Sequence, residues 1–212
     1  MIPAFPVYLF DVDGTLTHSA PDICGAIQHV IAPHTNGNAV SDAFLTTYIG
    51  RHLLDLFQDL FPSYTPEQIE TLIQEYRQIY PARNHDCTQV YPGVREALSQ
   101  LDGRKSTATT KGTPTTRAVL EKFQLISYFD HVQGTDGFPA KPAPDVILKS
   151  LQLFGVQPED CLLVGDAPAD MEAGRRAGVR TCAVTYGYGN REGMAQFTPD
   201  FWIDDLRALL PS

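Results

Sequence analysis

The residues able to do chemistry in this 212-residue chain fall in four short polar clusters. They are Asp11-Val12-Asp13-Gly14-Thr15, Thr109-Thr110-Lys111, Lys141-Pro142, and Gly165-Asp166 with Asp170 four residues on. Three crowded carboxylates repel one another unless a cation sits among them, and oxygen donors without nitrogen or sulfur suit Mg2+. Such an ion recruits phosphate oxygens. Lysine, a threonine hydroxyl and backbone N–H groups at a helix start supply the remaining donors that a phosphoryl group needs. Charge matching alone therefore points to a phosphate monoester. Asp11 and Asp13 are two apart, so on an extended strand they share a face, and Gly14 permits a sharp turn after them. One carboxylate can attack phosphorus in line, forming an aspartyl-phosphate, while the other protonates the leaving oxygen and later activates water. Taken alone, Asp-x-Asp-Gly is equally a turn or a fragment of a Ca2+ loop. Here the other Ca2+-loop ligands are missing and an apolar strand precedes it.

Each cluster follows a strand-like run or lies in a connection between such runs. Val7–Phe10 is a short apolar segment ending at the first cluster. After Tyr91-Pro92-Gly93, strand-like runs alternate with helical patterns. The strands are predicted at Ser106–Thr109, His131–Gly134, Cys161–Gly165, Thr181–Val184 and Phe201–Ile203. The helices are predicted at Thr113–Phe123, Pro144–Phe154 and Ala169–Ala177. Alternation of this kind implies a parallel sheet with helices on both faces, and ligands of such sheets sit at the carboxyl ends of the strands. Residues 17–85 read differently, as mostly helical with no clear strand pattern. Ile23, Ala26, Ile27, Val30 and Ile31 make one apolar face, and a breaker covers Pro33 to Asn38. A helical stretch from Ser41 to Phe61 is interrupted near Gly50. Thr65-Pro66-Glu67-Gln68 is a capping box opening a third helix, whose apolar face is Ile69, Leu72, Ile73, Tyr76 and Tyr80. The expected organisation is an α/β core made of residues 1–16 and 86–212, with residues 17–85 inserted as a helical unit.

Composition narrows the function classes. Hydrophobic residues make up 43% and charged ones 19%, which is globular and excludes disordered, collagenous or coiled-coil chains. Acidic residues outnumber basic ones 25 to 16, a net charge of −9, so neither nucleic acid nor an anionic membrane is expected as a partner. The N-terminal apolar residues lack a basic region and are interrupted by two prolines and Asp11, unlike a signal peptide. No stretch approaches the ~20 apolar residues of a membrane span. The expectation is a soluble cytoplasmic protein, monomeric or homodimeric. Cys24, Cys87, Cys161 and Cys182 are scattered and read as buried reduced thiols, and the six histidines as surface or packing residues.

Phe10-Asp11-Val12-Asp13-Gly14-Thr15-Leu16, Thr109-Thr110-Lys111, Lys141-Pro142-Ala143-Pro144-Asp145 and Val164-Gly165-Asp166-Ala167-Pro168-Ala169-Asp170 resemble, in order, the four signature motifs of the haloacid dehalogenase superfamily. The resemblance covers essentially the whole chain. It implies a Rossmann-like, doubly wound core with a small all-helical C1 cap after the first strand, as in the phosphoglycolate phosphatase and β-phosphoglucomutase branch. The ending Val184-Thr185-Tyr186-Gly187-Tyr188-Gly189, followed by Pro199-Asp200-Phe201, resembles the phosphatases more than their cousins. By this resemblance Asp11 is the nucleophile and a Mg2+ ligand. Asp13 is the acid and base, with its carbonyl on the metal. Thr109 and the N–H groups of Val12 and Thr110 hold the phosphoryl group, Lys141 neutralises it, Asp166 binds the metal, and Asp170 orients the metal shell. One departure is the polar Lys105-Ser106-Thr107-Ala108 before the second motif, which leaves Thr110 as the alternative hydroxyl, although the place of Lys111 favours Thr109.

Specificity is expected from the inserted helices, which exclude water as the aspartyl-phosphate forms. Arg51, beside the Gly50 break, either pairs with a substrate carboxylate or is a solvated helix arginine. His18 and Lys111 are further candidates for substrate contact. The resulting expectation is a Mg2+-dependent phosphatase acting on a small phosphorylated metabolite, with 2-phosphoglycolate the first choice. The alternatives are a β-phosphoglucomutase-like mutase or sugar phosphatase and, outside enzymes, a silent phosphate- or protein-binding module.

Overall fold

The run Val7-Tyr8-Leu9-Phe10 forms β1 (Val7–Phe10), buried at every position because helices cover both faces of the sheet. In the computed structural model, which describes residues 2–35 and 38–211, alternate side chains of this strand enter two different cores. Tyr8 and Phe10 pack with Leu98, Leu120 and Val184. Val7 and Leu9 pack with Val146, Ile147 and Ala173 on the opposite face.

The chain then makes a two-residue strand, β2 (Thr17–His18), and runs through four helices: α1 (Ala20–Ile31), α2 (Asp42–Thr46), α3 (Leu53–Leu60) and α4 (Pro66–Ala82). It returns through β3 (Gln89–Val90), which pairs antiparallel with β2. There follow α5 (Val94–Gln100), β4 (Arg104–Thr107), α6 (Thr113–Lys122), α7 (Asp145–Phe154), β5 (Cys161–Gly165), α8 (Pro168–Ala177), β6 (Arg180–Val184), α9 (Arg191–Ala195) and β7 (Phe201–Ile203). The main sheet has the order β4-β1-β5-β6-β7, and every pairing in it is parallel. β1 thus lies between β4 and β5, and the connections after these three strands meet at one end of the sheet. This is the doubly wound α/β architecture expected.

Helices α1 to α4 share their own apolar core, with Ile27, Leu45, Phe57 and Leu72 at its centre. The capping box at Thr65 and Gln68 forms, and Gly50, with φ of 87°, separates α2 from α3 where the pattern broke. Asn36 and Gly37, within the expected breaker, lie outside the described residues. The buried Asp22 carboxylate of α1 accepts from the Cys87 N–H (3.0 Å) and the Thr88 hydroxyl (2.7 Å), tying α1 to the segment that returns to the sheet. Among the described residues, no helix is long and apolar enough to cross a membrane.

Four expectations are corrected. His131–Gly134 is not a strand of the sheet; it makes a single bridge to Ser106. The Thr107 hydroxyl donates to the Gln133 carbonyl and accepts from its N–H, so a side chain takes the place of the ladder. The strand expected at Ser106–Thr109 begins and ends two residues earlier, which leaves Thr109 beyond its end. The segment 17–85 is not free of strand, because β2 pairs across the base of the helical unit and is too short to show periodicity. Finally, Cys87 is exposed, whereas the other three cysteines are buried.

At the far edge of the sheet, Asp200 accepts from the Thr181 N–H (2.9 Å) and pairs with Arg180 (2.6 Å), stitching β6 to the turn before β7. Burial opposes the Asp200 charge, but the Thr181 N–H and the Arg180 guanidinium outweigh it and hold this carboxyl below its usual range. A carboxyl with a depressed folded-state pKa stabilises above its unfolded pKa and loses that contribution as pH falls through the folded value. Asp200→Asn should therefore lower stability by about 1 kcal/mol at pH 7 and by nothing measurable near pH 2, which urea denaturation at the two pH values would resolve.

Candidate active site

The Asp11 N–H donates to the Val164 carbonyl (2.9 Å), which carries the β1–β5 pairing one residue past β1 and holds Asp11 at the carboxyl edge of the sheet. Asp166, directly after β5, and Asp170, in the first turn of α8, come to the same place. Each of the three offers a carboxylate oxygen, and these oxygens lie within 4.8 Å of one another in a buried cluster. Lys141 Nζ donates to Asp11 Oδ1 (2.8 Å) and to Asp170 Oδ1, and all three of these side chains are no more than 2% exposed. The second Asp170 oxygen accepts from the Ala167 N–H (2.9 Å). Asp166 accepts from the Thr15 hydroxyl (3.0 Å) and the Tyr188 N–H (2.7 Å).

One ammonium does not balance three buried carboxylates, and the electrostatics record the deficit. Burial, with Lys141 opposing it and Asp170 adding to it, pushes the Asp11 carboxyl up to about 6. Burial together with Asp11 and Asp170 pushes Asp166 up to about 8. Burial works against the Lys141 charge, yet Asp11 and Asp170 more than offset it and hold the ammonium above its usual range. An all-oxygen donor set with excess negative charge fits a hard divalent cation. The surroundings of Asp166 are shaped for close approach. A Cβ on Gly14, whose φ is 92°, or on Gly187 would overlap the Asp166 side chain. Gly187→Ala should displace Asp166 and weaken binding of whatever divalent cation the cluster holds about 10- to 100-fold, which titrating Mg2+ into the parent and the variant would measure.

Asp13 does not join the cluster through its side chain. The Ser19 hydroxyl donates to its Oδ1 (2.6 Å), and Lys111 Nζ lies 3.1 Å from its Oδ2. Lys111 also donates to the Tyr80 hydroxyl of α4 (2.9 Å), so one core lysine joins Asp13 to the inserted helices. Val12 is buried, and its carbonyl accepts from the N–H groups of Leu16 and Thr17, closing the turn that carries Asp13. Thr109 is buried just past β4, where its hydroxyl accepts from the Lys111 N–H (3.3 Å), while Thr110 is half-buried and faces a cavity beneath the inserted helices.

Arg51 and His18 are not brought to the carboxylates. Arg51 stands at the cavity wall, paired with Asp55 (3.7 Å) and lying over the Tyr48 ring (4.5 Å). His18 is exposed between Tyr91 and Tyr188, with Nδ1 3.2 Å from the Tyr188 hydroxyl. Tyr188, which the sequence marks only as part of the Val184–Gly189 run, has a specific place at the site. Its hydroxyl accepts from the Ser19 and Ala20 N–H groups at the start of α1, at 2.7 and 2.9 Å. Its own N–H meanwhile holds Asp166. The flanking glycines of Gly187-Tyr188-Gly189 were the available signal, since both press against Asp166.

A doubly wound sheet with Asp11 and Asp13 after β1, lysine between carboxylates, and Asp166 and Asp170 after β5 defines a hydrolase class. Residues 8–184 match the haloacid dehalogenase-like hydrolase family, and the chain belongs to it. It is 32% identical to phosphoglycolate phosphatase 1 of Pseudomonas aeruginosa over 96% of this chain and 78% of that one. It is 33% identical to pyrophosphatase PpaX of Bacillus cereus over 96% of this chain and 94% of that one. A solved haloacid dehalogenase-like hydrolase from Bacteroides fragilis superposes with a TM-score of 0.91 at 26% identity, covering 97% of this chain and all of that one.

Proposed function

We propose that the protein is a Mg2+-dependent phosphatase that hydrolyses a phosphomonoester through an aspartyl-phosphate on Asp11. The observation that carries this reading is the buried Lys141–Asp11 contact inside a surplus of carboxylates at the sheet edge. Lys141 orients one Asp11 oxygen and lowers the repulsion a carboxylate meets on approaching an anionic phosphate. An Asp11 oxygen forms the new bond to phosphorus as the bond to the alcohol oxygen breaks, and Asp13 gives that oxygen its proton. A water then returns a proton to Asp13, its oxygen bonds phosphorus, and the Asp11–phosphorus bond breaks. Inorganic phosphate leaves and both carboxyl groups are restored. Thr109 and the N–H groups of Val12 and Thr110 hold the phosphoryl oxygens, and the helical unit of residues 17–85 excludes water as a cap. A Mg2+ held by Asp11, Asp166 and Asp170, with the Asp13 carbonyl, supplies positive charge to the phosphoryl oxygens when bound.

The named relatives cleave P–O bonds, which agrees with this chemistry, and the acidic chain with no membrane-spanning helix among its described residues suits a cytoplasmic metabolite phosphatase. The test is phosphate release across phosphorylated metabolites, with 2-phosphoglycolate and pyrophosphate included, in Mg2+ and in EDTA. Mg2+-dependent release that EDTA abolishes is expected. An isomerised sugar phosphate without free phosphate would replace hydrolysis by mutase chemistry, and no turnover of any substrate would reject the reading.

A further inference from the structure

Both carboxylate oxygens of Asp13 are held, one from the chain just after it and one from the loop after the neighbouring strand. Oδ1 accepts from the Ser19 hydroxyl (2.6 Å), and Oδ2 lies 3.1 Å from Lys111 Nζ. The backbone of Lys111 is fixed between β4 and α6, since its N–H donates to the Thr109 hydroxyl (3.3 Å) and its carbonyl accepts from the Thr135 N–H (3.0 Å). What remains free is a flexible stem ending in a compact ammonium. Tyr80 of α4 removes that freedom. Its hydroxyl accepts from Lys111 Nζ (2.9 Å), and the ammonium lies 4.3 Å from the centre of its ring. The ring is itself buried, stacked on Tyr76 with centroids 5.4 Å apart and set edge-on to His85 at 5.1 Å. Tyr80 is thus anchored among the inserted helices while its hydroxyl reaches a lysine of the core.

We infer that Tyr80 is a positioning residue for the acid: through Lys111 it fixes the place and plane of the Asp13 carboxyl, which exchanges a proton first with the leaving oxygen and then with water. The inference rests on the phosphatase reading above and adds to it a residue of the inserted helices that acts without touching the reacting atoms. Packing alone does not require the hydroxyl. A phenylalanine would keep the stack on Tyr76, the contact with His85 and the attraction between the ring face and the ammonium. The hydroxyl supplies a second fixed partner that sets the direction of Lys111 Nζ. Two donors on two oxygens define the orientation of a carboxyl, whereas the Ser19 hydroxyl alone leaves it free to turn about a single hydrogen bond. Proton transfer by a well-placed acid contributes about 10^2- to 10^4-fold, and a misplacement of about 1 Å costs on the order of 100-fold. In the reaction Asp13 gives its proton to the alcohol oxygen as the P–O bond breaks and regains one from water, while Lys111 and Tyr80 keep theirs throughout.

The experiment compares two leaving groups in the presence of Mg2+. An alkoxide needs a proton from Asp13 to leave, whereas p-nitrophenolate leaves without one, so kcat/KM for an aliphatic ester reads the acid far more than kcat/KM for p-nitrophenyl phosphate does. The aliphatic ester is the one that the parent cleaves fastest in the phosphate-release screen. In Tyr80→Phe the ratio of kcat/KM for the aliphatic ester to that for p-nitrophenyl phosphate should fall about 10- to 100-fold, with a melting midpoint within about 4 °C of the parent, as the loss of one hydrogen bond implies. In a Lys111→Met background the same change should cost less than about twofold on the aliphatic ester, because the link it acts through is already cut. An unchanged ratio, or losses that multiply in the double variant, would reduce Tyr80 to packing and overturn the inference while leaving the phosphatase standing. If Lys111→Met does not fold, the leaving-group ratio of Tyr80→Phe decides alone, and if the parent does not cleave p-nitrophenyl phosphate, the double variant decides. A parent that hydrolyses neither ester rejects the phosphatase, and the acid and its positioning residue with it.

Discussion

Asp11→Asn is expected to lower Mg2+-dependent turnover by at least about 10^4-fold while the unfolding temperature of the metal-free protein stays at or above that of the parent. The loss follows from chemistry, because a carboxamide cannot form the acyl phosphate that divides the displacement into two steps, and loss of a nucleophile alone removes most of the gain a catalytic set provides. The stability follows from electrostatics. Asparagine has nearly the shape of aspartate, its carbonyl can still accept from Lys141, and Lys141 keeps its pairing with Asp170. The change removes one of three mutually repelling buried carboxylates, whose crowding is seen in the raised Asp11 and Asp166 carboxyls. Steady-state phosphate release and thermal melting check the two halves separately. Substantial residual turnover would remove Asp11 as nucleophile, whereas a collapsed melting temperature would show the carboxylate holding the fold together.

Lys141→Met tests the opposite sign of the same balance. The methionine fills similar volume but leaves Asp11 and Asp170 buried without their ammonium, and breaking a buried pair from one side costs about 3–5 kcal/mol. For a chain of this size, where 1 kcal/mol moves the midpoint by about 2–4 °C, the unfolding temperature should drop by roughly 6–20 °C. If Mg2+ is held as proposed, it should recover part of the drop by restoring positive charge among the folded carboxylates. Turnover should fall by about 10^3-fold even with Mg2+ saturating, because the charge facing the phosphoryl oxygens is gone. Lys141→Arg should restore stability better than activity, as the longer planar guanidinium cannot occupy the position of a compact ammonium. Scanning calorimetry with and without Mg2+ reads the effect, and a midpoint within about 2 °C of the parent would show that Lys141 does not balance the cluster.

The chemical groups of the site were legible where local pattern and local geometry coincide. β1 is a continuous apolar run because both its faces are covered, and the polar cluster after it marks its carboxyl end. β4 was harder to read for the reverse reason. Lys105, Ser106 and Thr107 are buried although polar, since Thr107 exchanges hydrogen bonds with Gln133 and Lys105 donates to the Gly103 carbonyl. A polarity pattern cannot distinguish such a strand from a surface loop. His131–Gly134 has the pattern of a short strand, yet it meets β4 only through that exchange and a single bridge from His131 to Ser106. Arg51, beside a glycine break, reads equally as a substrate contact or a solvated helix arginine, and its pairing with Asp55 depends on the neighbour one helical turn along.

The amino-acid sequence by itself determined that Asp11 and Asp13 follow β1 and that Asp166 and Asp170 follow β5, the order of the four polar clusters, and the run of helices between β1 and β4. These are properties of short segments, set by side-chain period, turn residues and capping. The tertiary structure alone decided that Lys111 bridges Asp13 and Tyr80, and that Tyr188 ties Asp166 to the start of α1. It also decided that a cavity beside Asp13 is walled jointly by the sheet edge and by residues of the inserted helices. Those contacts join residues from the sheet edge to residues of the inserted helices, so they arise only when two separately packed units meet. No segment carries in its own pattern the partner it will find across that junction.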